Sequence, residues 1–153
     1  MKRKPRNYPM GSVSSGTMRN EDLIPSFLDE LEHQVRTKKV SGFKKEINRI
    51  NQAMEREGYF DSEDASYDLD WLFDSLNEFA APYFYFGAHP GDGADYGYWL
   101  TEGLEDDFDG VITGDLSEVD KDYRGEVLHV NDHGNTSLYV KNTRGFREVW
   151  AIV

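Results

Sequence analysis

The sequence predicts an α+β fold, in which about three N-terminal helices pack on one face of a C-terminal antiparallel sheet of four to six strands. Two observations carry that expectation. Apolar residues recur at helical spacing as far as Ala81, and beyond Pro82 they alternate with a period of two. Between the alternating stretches stand turn residues, Asn131-Asp-His-Gly-Asn135 and Asn142-Thr-Arg-Gly145, where Gly or Asn supplies positive φ. Helices that come first and bury one stripe need a sheet face to bury it against. With 153 residues, nine Tyr, nine Phe and three Trp, the chain can build one core. The expected organisation is a disordered basic tail over 1–16 and a single domain over 17–153.

The tail expectation rests on four basic residues and two prolines followed by Gly11-Ser-Val-Ser-Ser-Gly16. No apolar stretch follows its basic start, so no signal peptide is predicted. The first helix is expected to open at Asn20, whose side chain can cap it, with Glu21 and Asp22 suiting its positive end. Leu23, Ile24, Phe27, Leu28, Leu31 and Val35 then recur at helical spacing, and Pro25 belongs in a first turn. A second helix is predicted over 41–57, with Phe43, Ile47, Ile50 and Met54 as its stripe and Gly58 as its stop. Lys44, Lys45, Arg49 and Arg56 make its outer side basic, able to rest against acidic parts of the same chain.

The third helix is predicted over 62–81. Ala65, Leu69, Leu72, Phe73, Leu76, Phe79 and Ala80 fall in one sector at 100° per residue. Asp64, Asp68, Asp70, Asp74 and Glu78 are assigned to the opposite side, with Tyr67 and Trp71 pointing into it. Tyr83–Phe86 and Tyr96–Leu100 read as paired strands around a Gly-rich loop, and Val111–Thr113 as a short strand. Glu126–Val130, Thr136–Val140 and Arg147–Val153 read as an antiparallel meander.

The formal net charge of -12 is unevenly spread. Residues 1–60 hold 12 basic and 8 acidic side chains, +4; residues 61–122 hold 18 acidic and one basic, -17; residues 123–153 come to +1. The acidic stretch is also rich in aromatics, unlike a disordered acidic tail, so it reads as a folded acidic surface. Such a charge disfavours direct binding to nucleic acid or to an anionic membrane. No apolar run approaches a membrane span. The absence of Cys removes disulfide and thiolate chemistry and suits a reducing cytoplasm.

Three groups of residues bear on chemistry. Ala88-His-Pro-Gly-Asp92-Gly-Ala-Asp95 superficially resembles the Ala-His-Pro-Asp-Asp-Glu zinc motif of sugar deacetylases. Gly91 and Gly93 stand where that motif has its first Asp and its Glu, so the general-base carboxylate is missing. A structural hairpin loop is the favoured reading, with His89, Asp92 and Asp95 as metal candidates and His89 with His33, His129 or His133 as a further pairing. His129 and His133 are four apart, but on a strand and its turn that spacing does not converge. Glu105, Asp106, Asp107 and Asp109 lack the order of a calcium loop and read as a solvated acidic loop. No nucleophile elbow, phosphate loop or dinucleotide glycine pattern is present.

Ser15-Gly-Thr-Met-Arg-Asn-Glu-Asp-Leu-Ile-Pro25, Tyr85-Phe-Gly-Ala-His-Pro-Gly-Asp-Gly-Ala-Asp-Tyr-Gly-Tyr-Trp99 and Val130-Asn-Asp-His-Gly-Asn135 resemble small proteins of tailed bacteriophages and prophages. The likeness covers most of residues 15–153. That group brings no established activity and no catalytic residues. It implies an accessory protein acting in the cytoplasm of a bacterial host.

The expected function is therefore a non-enzymatic interaction protein for host takeover or anti-defence. It would present an acidic, aromatic surface to a basic host protein such as a nuclease, a defence complex or a polymerase, with DNA mimicry as one form. The expected binding residues are Asp64, Tyr67, Asp68, Asp70, Trp71, Asp74, Glu78, Glu105, Asp106 and Asp107. No catalytic residue and no cofactor are assigned. The alternatives are a small metal-dependent enzyme at the His89–Asp95 loop and a structural or virion-associated protein. A sheet with helices on one face only also leaves a homodimer open.

Overall fold

From residue 20 onward the chain forms helices before most of its strands, giving an α+β fold in a computed structural model that describes residues 7–152. Those residues divide into two compact units: Pro9–Thr101, and residues 102–152 with 7 and 8. The basic residues 2, 3, 4 and 6 of the expected tail lie outside the described residues, as does Val153.

In the larger unit, α1 (Asn20–Lys38) buries Leu23, Ile24, Phe27, Leu28 and Leu31, a stripe at helical spacing. Its N-cap is Arg19, which makes no side-chain cap, rather than Asn20. The Asn20 amide instead donates to the Phe60 carbonyl at 3.0 Å, tying the helix start to a 3-10 turn at Tyr59–Asp61. Pro25 sits within the helix beyond its first turn. Helix α2 (Lys44–Ala53) is shorter than the 41–57 expected and buries Ile47, Ile50 and Ala53. Beyond Ala53 the sequence is mostly polar, and Gly58, at φ 77, opens the 3-10 turn instead of ending the helix. Helix α3 (Glu63–Asn77) starts where Ser62 Oγ accepts from the Ala65 N–H at 3.3 Å, satisfying one of the otherwise orphaned donors.

The sheet of this unit has the order β1-β3-β2, all antiparallel: β1 (Gly11–Ser14), β2 (Phe84–His89) and β3 (Asp92–Leu100). Strand β1 corrects the tail expectation for residues 11–14. It lies so close to β3 that a Cβ at Gly97 would stand 2.1 Å from the Gly11 carbonyl oxygen. The Gly-rich loop expected at 87–94 is mostly strand, closed by a turn at Pro90-Gly91 and irregular in register after Ala88. Phe86 and Tyr98 are cross-strand partners, and so are Ala88 and Tyr96, which puts these four on one face. Phe27 of α1 meets that face with edge-on rings 5.1 Å from Phe86 and 5.7 Å from Tyr96, and Phe73 of α3 lies 5.1 Å away. The expected helices-on-sheet layer thus forms on β1-β3-β2, within one unit.

The smaller unit begins with a helical turn, α4 (Leu104–Asp107), and carries a four-stranded sheet, β4-β5-β6-β7. Its strands are β4 (Val111–Thr113), β5 (Gly125–Val130), β6 (Thr136–Asn142) and β7 (Gly145–Ala151). The meander β5-β6-β7 is antiparallel as expected, but β4 runs parallel to β5. Residues 114–124 make the crossover that a parallel pair requires. Asn131 Oδ1 accepts from the His133 and Asn135 N–H groups, and Asn142 Oδ1 from the Arg144 N–H. These Asx contacts realise the predicted turns. The strands therefore form two sheets rather than one, and the second contains a parallel pair.

Candidate functional site

Helix α3 presents Asp64, Asp70, Asp74 and the following Glu78 to solvent. Tyr67 stands among them, 64% exposed, with its hydroxyl 3.3 Å from Glu63. Among the described residues none of Asp64, Asp70, Asp74 and Glu78 is ion-paired. This part of the expected surface is present as a field of like charge around one exposed ring.

Two expected members are displaced from it. Asp68 is 4% exposed and belongs to the packed side of α3. Its Oδ1 accepts from Arg49 Nη2 of α2 at 2.5 Å, and its Oδ2 accepts from the Tyr59 hydroxyl at 2.6 Å. Arg49 also donates through Nε to Glu46 at 3.0 Å. The Asp68 hydrogen bond raises the Arg49 guanidinium above its ordinary value. Burial, followed by the bond to Asp68, raises the Tyr59 phenol above its own. The helical spacing held the signal: Asp68 stands three after Ala65 and four before Leu72, both fully buried. Trp71 is half-buried, its ring 6.2 Å from Phe43 at the start of α2. Both residues face α2, so part of the acidic helix serves the chain's own basic helix.

Glu105, Asp106 and Asp107 are exposed on α4. They belong to the smaller unit, whereas residues 64–78 belong to the larger one.

The His89 loop is held by its own backbone. His89 Nδ1 accepts from the Gly91 N–H at 2.9 Å, and its ring lies edge-on to Trp99 at 4.7 Å. Asp92 Oδ1 accepts from the Ala94 N–H at 3.0 Å, and Asp95 accepts from the Ser12 hydroxyl of β1 at 2.5 Å. These bonds point the groups at different neighbours. Among the described residues no three His, Asp or Glu side chains are placed to hold a metal ion. His129 rests against the Gly114 carbonyl at 3.1 Å, and His133 is exposed in its turn.

Sequence reasoning missed a second feature of the larger unit. The end of α1 and the start of α2 border an open cleft of about 500 Å³, walled by Val35, Val40 and Ile47 and carrying Arg36, Lys44 and Glu32. Its signal was the run of residues 36–45, which contains five cations and no acid. A buried polar group also went unforeseen: Tyr98 donates to Glu30 at 3.0 Å, and burial with the nearby Glu30 charge raises its phenol above the ordinary value.

No protein-family model, curated protein or solved structure matches the chain. Among the described residues no helix is long and apolar enough to cross a membrane.

Proposed function

We propose that this chain is a non-enzymatic interaction protein of a tailed phage or prophage that offers the outer face of α3 to a basic protein in the host cytoplasm. One observation supports the reading above others: Tyr67 is 64% exposed in the middle of carboxylates that, among the described residues, are not ion-paired. Large exposed aromatics ringed by polar groups have the composition of binding hot spots, which lose water at the ring and keep a charged rim. The carboxylates add long-range steering towards a basic surface, which a nuclease, a polymerase or a defence complex supplies.

The charge spacing favours one form of this reading. Glu63, Asp64, Asp70, Asp74 and Glu78 are the exposed acids of the helix and its cap. They span about 22 Å at 1.5 Å per residue, roughly one charge per 5 Å, against about 3.4 Å along one DNA strand. With Asp68 turned inward the face is sparser than a phosphate backbone. It acts as a steering field around Tyr67 rather than as a copy of DNA.

Affinity capture from phage-infected cells, read by mass spectrometry, tests the proposal. A basic host protein should be retained by the wild type and lost with Asp70→Lys/Asp74→Lys. For that protein the salt dependence of binding should also flatten in the variant. Equal retention by a folded Asp70→Lys/Asp74→Lys variant would sink the proposal.

A further inference from the structure

The cleft between α1 and α2 breaks local rules of helix design. Phe43 stands at the N-cap of α2 and makes no side-chain cap. Lys44 and Lys45 then place positive charge at the positive end of the helix, with Glu46 as the acid of that first turn. Val40 lies 39% exposed on the cleft wall, in the middle of these cations. Among the described residues Arg36, Lys39, Lys44 and Lys45 are not ion-paired. The result is a recess with Val35, Val40 and Ile47 on its walls and a mainly cationic rim, on which Glu32 also stands and accepts from the Asn51 amide at 3.0 Å.

The same unit carries its counterpart. Tyr67 is an exposed apolar ring with an anionic rim: Asp64 and Asp70 stand three residues to either side, and Glu63 is four residues before it. We propose that the α1–α2 cleft receives Tyr67 of a second copy of this chain, with the carboxylates around that ring meeting Arg36 and Lys44. Charge complementarity selects this occupant, because the five cations of residues 36–45 outnumber Glu32 at the cleft, whereas the exposed charges beside Tyr67 on α3 are carboxylates. The contact joins two different surfaces, so each copy carries one donor ring and one receiving cleft. The inference rests on the reading of the α3 outer face as a docking surface, and it makes self-association compete with a basic partner.

Sedimentation velocity on the full chain tests it at about 0.01 M salt, where charges act over about 30 Å, and at 1 M, where they act over about 3 Å. The wild type should associate with rising concentration at low salt and revert to monomer at high salt. Tyr67→Ala/Asp70→Asn alters one surface and Arg36→Gln/Lys44→Gln the other. Each alone should weaken association about tenfold or more. An equimolar mixture should form a one-to-one dimer that grows no further, since each variant keeps the surface the other has lost. A wild type that stays monomeric, variants that associate like the wild type, or a mixture that fails to complement would each overturn the inference. Capture of the basic host protein by Arg36→Gln/Lys44→Gln, whose acidic face is intact, reports on the docking reading alone. Retention there without wild-type self-association leaves that reading standing and removes only the inference made here.

Discussion

Replacing Asp68 by Ala separates a carboxylate that holds the fold from carboxylates that face solvent. The change removes the acceptor of two donors, Arg49 Nη2 at 2.5 Å and the Tyr59 hydroxyl at 2.6 Å. The two losses differ in size. The Arg49 side chain is 45% exposed, so its guanidinium rehydrates, and its share is that of a surface pair, about 0–1 kcal/mol. Tyr59 is 3% exposed, and a buried hydroxyl left without a partner costs about 1–3 kcal/mol. Releasing Asp68 from its own burial offsets part of this. The expected net destabilisation is about 2 kcal/mol, measured by urea unfolding followed by circular dichroism. A double-mutant cycle assigns it: Asp68→Ala with Tyr59→Phe should couple by about 1 kcal/mol or more, and with Arg49→Ala by less. Asp70→Ala, on the exposed side, should stay within about 0.5 kcal/mol of the wild type. A loss below 0.5 kcal/mol for Asp68→Ala, or no coupling to Tyr59, would refute the reasoning.

Three further outcomes are expected. Tyr59 and Tyr98 have phenols raised above their ordinary value of about 10, so the folded state holds those protons more tightly than the unfolded chain. Their contribution is fully present below that pH and is lost as pH rises from there towards the folded values. The loss is up to about 1.4 kcal/mol per pH unit for each group, and Tyr98→Phe should lower the alkaline slope of stability accordingly. An unchanged slope would contradict the assignment. Gly97→Ala places a methyl group 2.1 Å from the Gly11 carbonyl oxygen, so β1 should detach while α1 and α3 stay packed. Faster amide hydrogen exchange in residues 11–14 with unchanged helical circular dichroism would show it, and retained protection would count against it. Trp150 is buried on β7 as the cross-strand partner of Leu138. Trp150→Ala should cost about 3–5 kcal/mol in thermal or urea unfolding of the smaller unit, and a cost under about 1 kcal/mol would argue against that packing.

What the sequence determined by itself was local. The apolar stripe of α1, the Ser62 start of α3, the change of period after Pro82 and the Asx turns of β5-β6-β7 all follow from neighbours within a few residues. Spacing and backbone chemistry act at that range, so these elements and the α+β class were legible. The exposed acids around Tyr67 were legible for the same reason.

Tertiary structure decided the rest. Gly11–Ser14 has little to bury, and it becomes a strand because Gly97 on β3 admits a close backbone neighbour. Strand β4 pairs parallel to β5 because the crossover at 114–124 returns the chain in the same direction, a choice no local pattern specifies. Most consequential is Asp68, which by residue type belongs with Asp64, Asp70 and Asp74. A carboxylate is stable inside only where donors await it, and Arg49 and Tyr59 lie on other elements that folding brings within 2.6 Å. Residue type set the total acidity of α3. The packing of α2 and the Tyr59–Asp61 turn against it decided which of those charges remain exposed to solvent.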